Sequence, residues 1–285
     1  YRAYAPNGGS DDDAEHYEWL LAAQDYRRGL IDPPGGSGEI RGVWKVNGSV
    51  YCLRDDADAS ETRLFKENGN GWQRIQFSSR LGFSSGVVSA GVIAPDTIYD
   101  KLIGQTITGG SSIAAGTVVG VETTSGDWTT GDAEGSLTLD GDTSAFLDGE
   151  TVGFPGGSFT AEGTNAKPTM NPGGRADVRV HNFKGEADKT VAVVANAVDK
   201  AFILDNDDNV EQLNPGLTDY PTFCEVFQNR VFLSFDNGLS RCSDVKWPTD
   251  FTSLTGGGHE IGTGMSITGL RATLGNTLVF GGEQS

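Results

Sequence analysis

The chain has 285 residues, 39 of them acidic and 21 basic, for a formal charge of −18. Such a surface repels nucleic acid and excludes a phosphate-gripping binder, though not a conduit through which DNA slides. Hydrophobic residues at 36%, arranged in alternating runs, exclude a disordered chain, and the 41 glycines read as turn chemistry for many short strands.

Cys52, Cys224 and Cys242 show no CxxC spacing, so neither a thiolate zinc site nor a disulfide framework is expected. Cys52 lies in strand alternation and reads as a small buried apolar residue. Folding then suits a reducing cytoplasm. No apolar run approaches the ~20 residues needed to span a bilayer. The polar start, "YRAYAPNGGSDDD", is not a signal peptide. The chain begins at Tyr1 rather than Met and stops at Ser285 directly after a strand, so a partial chain is expected.

Residues 1–38 read as an irregular segment. "SDDDAEHYEWLLAAQDYRR" reads as a short helix capped by Ser10 or Asp11, with Tyr17, Leu20 and Leu21 on one face. "DPPGGSG" (Asp32 to Gly38) ends it. Residues 39–83 read as one four-stranded blade. "IRGVWKV" and "SVYCLRD" form a hairpin about Asn47-Gly48; "TRLFKE" and "GWQRIQF" form a second about Asn68 to Gly71.

Residues 84–161 change texture, to Gly, Thr, Ser and Asp with tight turns. They read as an inserted small β-barrel or sandwich with very short strands. Residues 162–177 close a Gly/Pro/Asn-rich return path that begins at Phe154. Residues 178–285 read as further blades: "DVRVHNF", "KTVAVVANA", "KAFILD" and "NVEQL"; then "FCEVFQ", "NRVFLSFD" and "GLSRCS"; then "SITGLRATLG" and "NTLVFGGE".

One cassette recurs: an apolar strand, a tight turn with Asn or Gly, and a second apolar strand. It occupies Val43 to Leu53, Val226 to Phe235 and Leu270 to Gly281. Aromatic-bearing segments around Trp72 and Trp247 close two of the sets. The step from Val226 to Leu270 matches a propeller repeat of about 40–50 residues. The expected fold class is therefore all-β, with β-propeller-like blades interrupted by a small barrel or sandwich. A β-sandwich with ordinary hairpins is the rival. Three or so blades do not close a ring of about 4–8, so further blades beyond Ser285 are expected.

No catalytic, cofactor or metal residues are assigned. "DNDDNVEQLNPG" places Asp205, Asp207 and Asn209 as a calcium loop would. Val210 then stands where that loop needs Gly, and Gly216 where it needs Glu, so a polar hairpin tip is expected. "SGDWTTGDAEG" lacks the residue order of a sialidase turn box and reads as an acidic turn with one packed Trp128. The charge runs Asp11 to Asp13 and Asp55 to Glu61 read as solvated loops, because paired carboxylates for glycosidic chemistry must converge in a cleft. His16, His181 and His259 stand alone, and there is no GxSxG elbow, dinucleotide fingerprint or Walker sequence. Arg41, Arg54 and Arg271 are expected to form ion pairs between blades or subunits.

Taken in order, "YEWLLAAQDYRRGLIDPPGGSGEIRGVWKVNGSVYCLRDDADA", "LFKENGNGWQRI", "SGDWTTGDAEGSLTL", "SAFLDGETV", "NPGGRADVRVHNFKGEADKTVAVVANAVDKAFILD" and "QNRVFLSFDNGLSRCSDVKWPTDFTSL" resemble the β-propeller virion proteins of tailed-bacteriophage tails and necks. "GHEIGTGMSITGLRATLGNTLVFG" extends the resemblance over nearly the whole chain. It implies a non-enzymatic structural protein of the virion tail, nozzle-like or at the tail tip, assembled in the host cytoplasm. The implied partners are further copies in a ring, a hexamer among the expected forms, and other tail or neck proteins. Genomic DNA would pass through during ejection without specific binding. The acidic balance suits such a conduit, and a strongly basic lumen would contradict it. The alternatives are a glycan-binding or glycan-cleaving propeller acting at a cell surface and, third, a secreted calcium-binding β-protein.

Overall fold

The computed structural model describes residues 13–30, 32–69, 71–89, 98–140, 145–186, 189–251, 258–273 and 277–283. Helix α1 (Asp13–Gly29) precedes the sheets. It is longer than the short helix expected, and its expected caps, Ser10 and Asp11, lie outside the described residues. Its Tyr17, Leu20 and Leu21 are all exposed.

The first sheet is a meander of β1 (Ile40–Val46), β2 (Ser49–Asp55), β3 (Thr62–Glu67) and β4 (Trp72–Ile75). The β1–β2 register centres on Asn47 and Gly48, both at positive φ. Asn tolerates this conformation and Gly is indifferent to it, so the two-residue turn matches the strand twist.

The inserted unit is a closed six-stranded barrel in the order β10-β5-β8-β7-β6-β9. Its strands are β5 (Ser79–Val88), β6 (Thr106–Gly109), β7 (Ala115–Ser125), β8 (Ala133–Asp140), β9 (Thr151–Phe154) and β10 (Gly157–Ala166). A short helix, α2 (Ile98–Leu102), contributes Ile98 and Leu102 to the barrel core. The barrel, rather than a sandwich, is formed because β9 pairs with both β10 and β6 and closes the ladder.

Two expectations about this unit need correction. The strands are not uniformly very short, since β7 runs 11 residues. The boundaries of 84 and 161 also move outward, to Ser79 and Ala166. Leu81 and Phe83 point into the barrel core, and their strand pairs with β8 and β10 rather than with the first sheet.

Two more meanders follow. The second sheet contains β11 (Asp177–His181), β12 (Val191–Ala195), β13 (Phe202–Leu204) and β14 (Val210–Gln212). The third contains β15 (Phe223–Phe227), β16 (Arg230–Ser234), β17 (Leu239–Cys242) and β18 (His259–Gly262). A hairpin of β19 (Ser266–Thr273) and β20 (Thr277–Glu283) ends the series. β18, pairing with β17, is a strand the sequence pattern did not reveal.

Period-two alternation makes these sheets stack. Ala192 and Val194 pack toward the first sheet, against Trp44, Tyr51, Leu53 and Leu64. Their neighbours Val193 and Ala195 pack the other way, against Cys224, Val231, Leu233 and Phe235 of the third. Phe232 then joins Leu270, Leu278 and Phe280 of the final hairpin. A strand buried on both faces needs an unbroken apolar run, which "VAVVA" supplies.

All three cysteines are free and buried, and burial pushes each thiol pKa up. The thiolate is the reactive form, so native protein at pH 8 should react negligibly with an aromatic disulfide reagent over minutes. Denatured protein should release three equivalents of thiol. Fast reaction of any one thiol in the folded state would contradict its placement.

Candidate functional site

The first strands β1, β11, β15 and β19 lie side by side in that order. Gly42 lets β1 come this close, since a Cβ there would collide with Ala176, whose N–H donates to the Arg41 carbonyl at 2.9 Å. Arg179 Nε donates to Glu225 Oε2 at 3.0 Å, and its Nη1 to Asp177 Oδ1 at 2.7 Å. Arg271 Nη1 lies 3.7 Å from the same Glu225 oxygen. Glu225 is buried, so two cations from neighbouring strands compensate one desolvated carboxylate.

Arg271 therefore links successive sheets as expected. Arg41 and Arg54 do not. Arg41 holds Asp55 of its own sheet, with Nε at 2.8 Å and Nη2 at 2.5 Å, and Arg54 donates to the carbonyls of Pro34 and Gly38. Both side chains are spent on fixing the segment that enters the first sheet. The acid surplus of the chain does not sit on the first strands. They carry Arg41, Lys45, Arg179 and Arg271 against Asp177 and Glu225.

A cleft of about 210 Å³ opens where the barrel, the second sheet and the segment after β17 meet. Ile103, Phe183, Val191, Ile203 and Trp247 supply its apolar wall. Its charged lining is mixed: Lys184, Lys189 and Lys246 against Glu186 and, from the β13–β14 hairpin, Asp205, Asp207 and Glu211. The Lys184 ammonium lies 4.5 Å from the centre of the Trp247 ring. Lys246 is held at φ 68, an unusual conformation for a long side chain, while its N–H donates to the Asn229 carbonyl at 2.9 Å. The Trp247 turn is closed by Asp244 N–H to Asp250 O at 2.7 Å.

Beneath this cleft Arg80 joins an ion pair inside the barrel to a hydrogen bond that reaches the second sheet. Arg80 of β5 pairs with Glu122 of β7, and Arg80 Nη1 also donates to the Gln212 carbonyl of β14 at 3.2 Å. Burial pushes the Glu122 carboxyl above the usual range, opposed by Arg80. Its Oε1 has no hydrogen-bond partner among the described residues. Burial also pushes Glu211 up to about 7, with Arg80 opposing and Glu122 reinforcing the shift. The Glu211 carboxyl lies against the bare backbone of Gly120, where any Cβ would overlap it. Burial lowers the Lys200 ammonium pKa in the same cluster.

The polar hairpin tip expected at Asp205 is present. Asp205 Oδ1 accepts from the N–H groups of Asp207 at 2.8 Å and Asn209 at 2.9 Å, so the turn uses the carboxylate. Asp208 reaches back to the first sheet, accepting from Tyr51 Oη at 2.7 Å and Lys66 Nζ at 2.8 Å. Among the described residues, no group of His, Cys, Asp and Glu side chains is arranged to hold a metal ion. Trp128 packs in the barrel core beside Phe83, as the packed-Trp reading expects.

The run Asp55 to Glu61 is not simply solvated. Asp55 and Asp56 are buried, with Asp55 accepting from Arg41 and Thr62, and Asp56 from Ser60. Asp11 and Asp12 lie outside the described residues. His181 Nε2 meets Asn229 Oδ1 at 2.8 Å, whereas His259 is exposed on β18.

The sequence reading missed Glu122, Glu211 and Glu150. Each is an acidic residue inside or beside an apolar run, and that was the available signal. Burial alone would raise Glu150, but hydrogen bonds from Ser112, Leu147 and Ser111 hold it at about 2. It thereby ties two barrel loops together. No protein-family model matches the chain, and no curated protein matches it in sequence.

Proposed function

We propose that the chain is a non-enzymatic structural subunit of a bacteriophage tail or neck, with its stacked meanders serving as blades of a propeller. Copies associate into a ring around the path by which DNA is ejected, in contact with other tail or neck proteins. The observation that carries this reading is the stacking itself: successive meanders buried face to face, with their first strands together. Those first strands begin at Asp177, Phe223 and Ser266, steps of 46 and 43 residues, which fits the propeller repeat.

Helix α1 supports the self-association. It packs extensively on no other described element. Yet Trp19 (44% exposed), Ala23 and Tyr26 (70%) recur at the four–three spacing that lines one helical face, and the exposed Leu30 (60%) follows directly after the helix. Apolar surface left open on a monomer marks a contact site.

Mass photometry of the purified chain at micromolar concentration tests the proposal. A closed oligomer of fixed mass is expected, weakened by the triple change W19S/Y26S/L30S. A monomer under all conditions, or absence of the protein at fixed stoichiometry from purified particles, would count decisively against it.

A further inference from the structure

We propose that the contact between the barrel and the second sheet is a pH-sensitive seam, closed while the Glu211 carboxyl is neutral and opening locally when that carboxyl loses its proton. This inference does not depend on ring assembly.

The geometry comes first. Among the described residues, the hydrogen bonds between the two units gather at one place. Ser78, at the entry to β5, donates its N–H to the Val210 carbonyl of β14 at 3.1 Å, and the Val210 N–H donates to Ser78 Oγ at 3.1 Å. Arg80 Nη1 reaches the Gln212 carbonyl. Glu211 lies between these ties on β14. Its carboxyl fills the space over Gly120 of β7 where a side chain would stand, and it meets the buried Thr138 side chain of β8. No barrel strand packs extensively on a strand of the sheets among the described residues. A further contact, the Trp247 ring against the barrel core, is apolar and does not titrate.

Charge at this place is balanced only while Glu211 is neutral. Its cations are Arg80 of β5 and Lys200, just before β13. Its other carboxylates are Glu122 of β7 and Asp205 of the β13–β14 hairpin. Arg80 is already paired with Glu122, and Asp205 is spent on the N–H groups of its own turn. An ionised Glu211 makes three carboxylates against two cations where little water screens them. The cleft adds no surplus of positive charge. Its lining sets Lys184, Lys189 and Lys246 against four carboxylates, and Lys184 lies over the Trp247 ring.

Burial accordingly lifts the Glu211 carboxyl from its ordinary 4.5 to about 7. The residue also borders the cleft, so a small displacement of the hairpin from β7 brings water to the carboxyl. A group that must gain water in order to ionise favours the opened form as pH rises between those two values.

The test is hydrogen exchange read by mass spectrometry on the purified chain at pH 5 and pH 7.5, each rate divided by the intrinsic rate at that pH. Protection of peptides covering 77–81 and 208–212 should fall about tenfold or more between the two, because opening releases a proton through most of that window. Above pH 7.5 protection should change little. Urea at about 1 M should leave this exchange unaltered, since a local opening exposes little surface. Strand β16 should exchange more slowly and with clear urea dependence. E211Q should keep the seam equally protected at both pH values. Equal protection of the parent at both overturns the proposal. So does the same fall in E211Q, or seam peptides that exchange at the rate and with the urea dependence of β16, which would mark global unfolding.

Discussion

Arg80→Met should lower the unfolding free energy by about 3–5 kcal/mol near neutral pH, the largest single effect expected in this chain. The Arg80 side chain is 20% exposed and its partner Glu122 only 6%. Removing the guanidinium leaves Glu122 buried with one oxygen already unpartnered and Glu211 close by as a like charge. It also removes a donor to the Gln212 carbonyl, a direct bond between barrel and second sheet. The cost should shrink on acidification. Because burial raises the Glu122 pKa, that carboxyl takes up a proton early and stops being an uncompensated charge.

Pairing the change with E122L should recover much of the loss, since removing both charges deletes the desolvation cost together with the attraction. Urea unfolding of the parent, the two single variants and the double variant measures the coupling. An Arg80→Met variant whose stability stays within about 1 kcal/mol of the parent at pH 7.5 would show that the pair is not buried as described.

Glu211→Gln should do the opposite and stabilise the protein, by on the order of 2–3 kcal/mol at pH 8. The ordinary value of 4.5 for this carboxyl rises to about 7 in the folded chain. Between those values the folded state holds a proton that the unfolded state has lost. Parent stability therefore falls as pH rises from about 4.5 to about 7, and above that window the full cost of a buried charge remains. Gln carries no charge, so the difference between variant and parent should vanish near pH 4 and grow through the window. A difference that does not vary with pH would indicate a packing effect instead.

The contrast between local and assembled features explains what could be read in advance. Asn47-Gly48 and the alternation on either side of it predict β1 and β2 to the residue, because a two-residue turn and a pleat depend on neighbours in the chain. The run "VAVVA" announces a strand covered on both faces for the same reason. The recurring cassettes fall on the first two strands of the first sheet, the third sheet and the final hairpin.

Burial of charge was not legible. Asp55 and Glu225 look solvated in a list of residues, and only the approach of Arg41 in one case, and of Arg179 and Arg271 in the other, makes their burial tolerable.

By itself, then, the sequence determined most strands of the meanders, the tight turns between them and the two-faced apolar alternation that obliges the meanders to stack. Those depend on hydrogen bonds and side-chain direction within a few residues. Only the tertiary structure decided that the insertion closes into a barrel, that Arg80 ties it to the second sheet, and that a cleft exists. The lining of that cleft comes from segments near 103, 119, 184, 205 and 247. No local pattern encodes their meeting, because it results from long-range packing of the barrel against the second sheet.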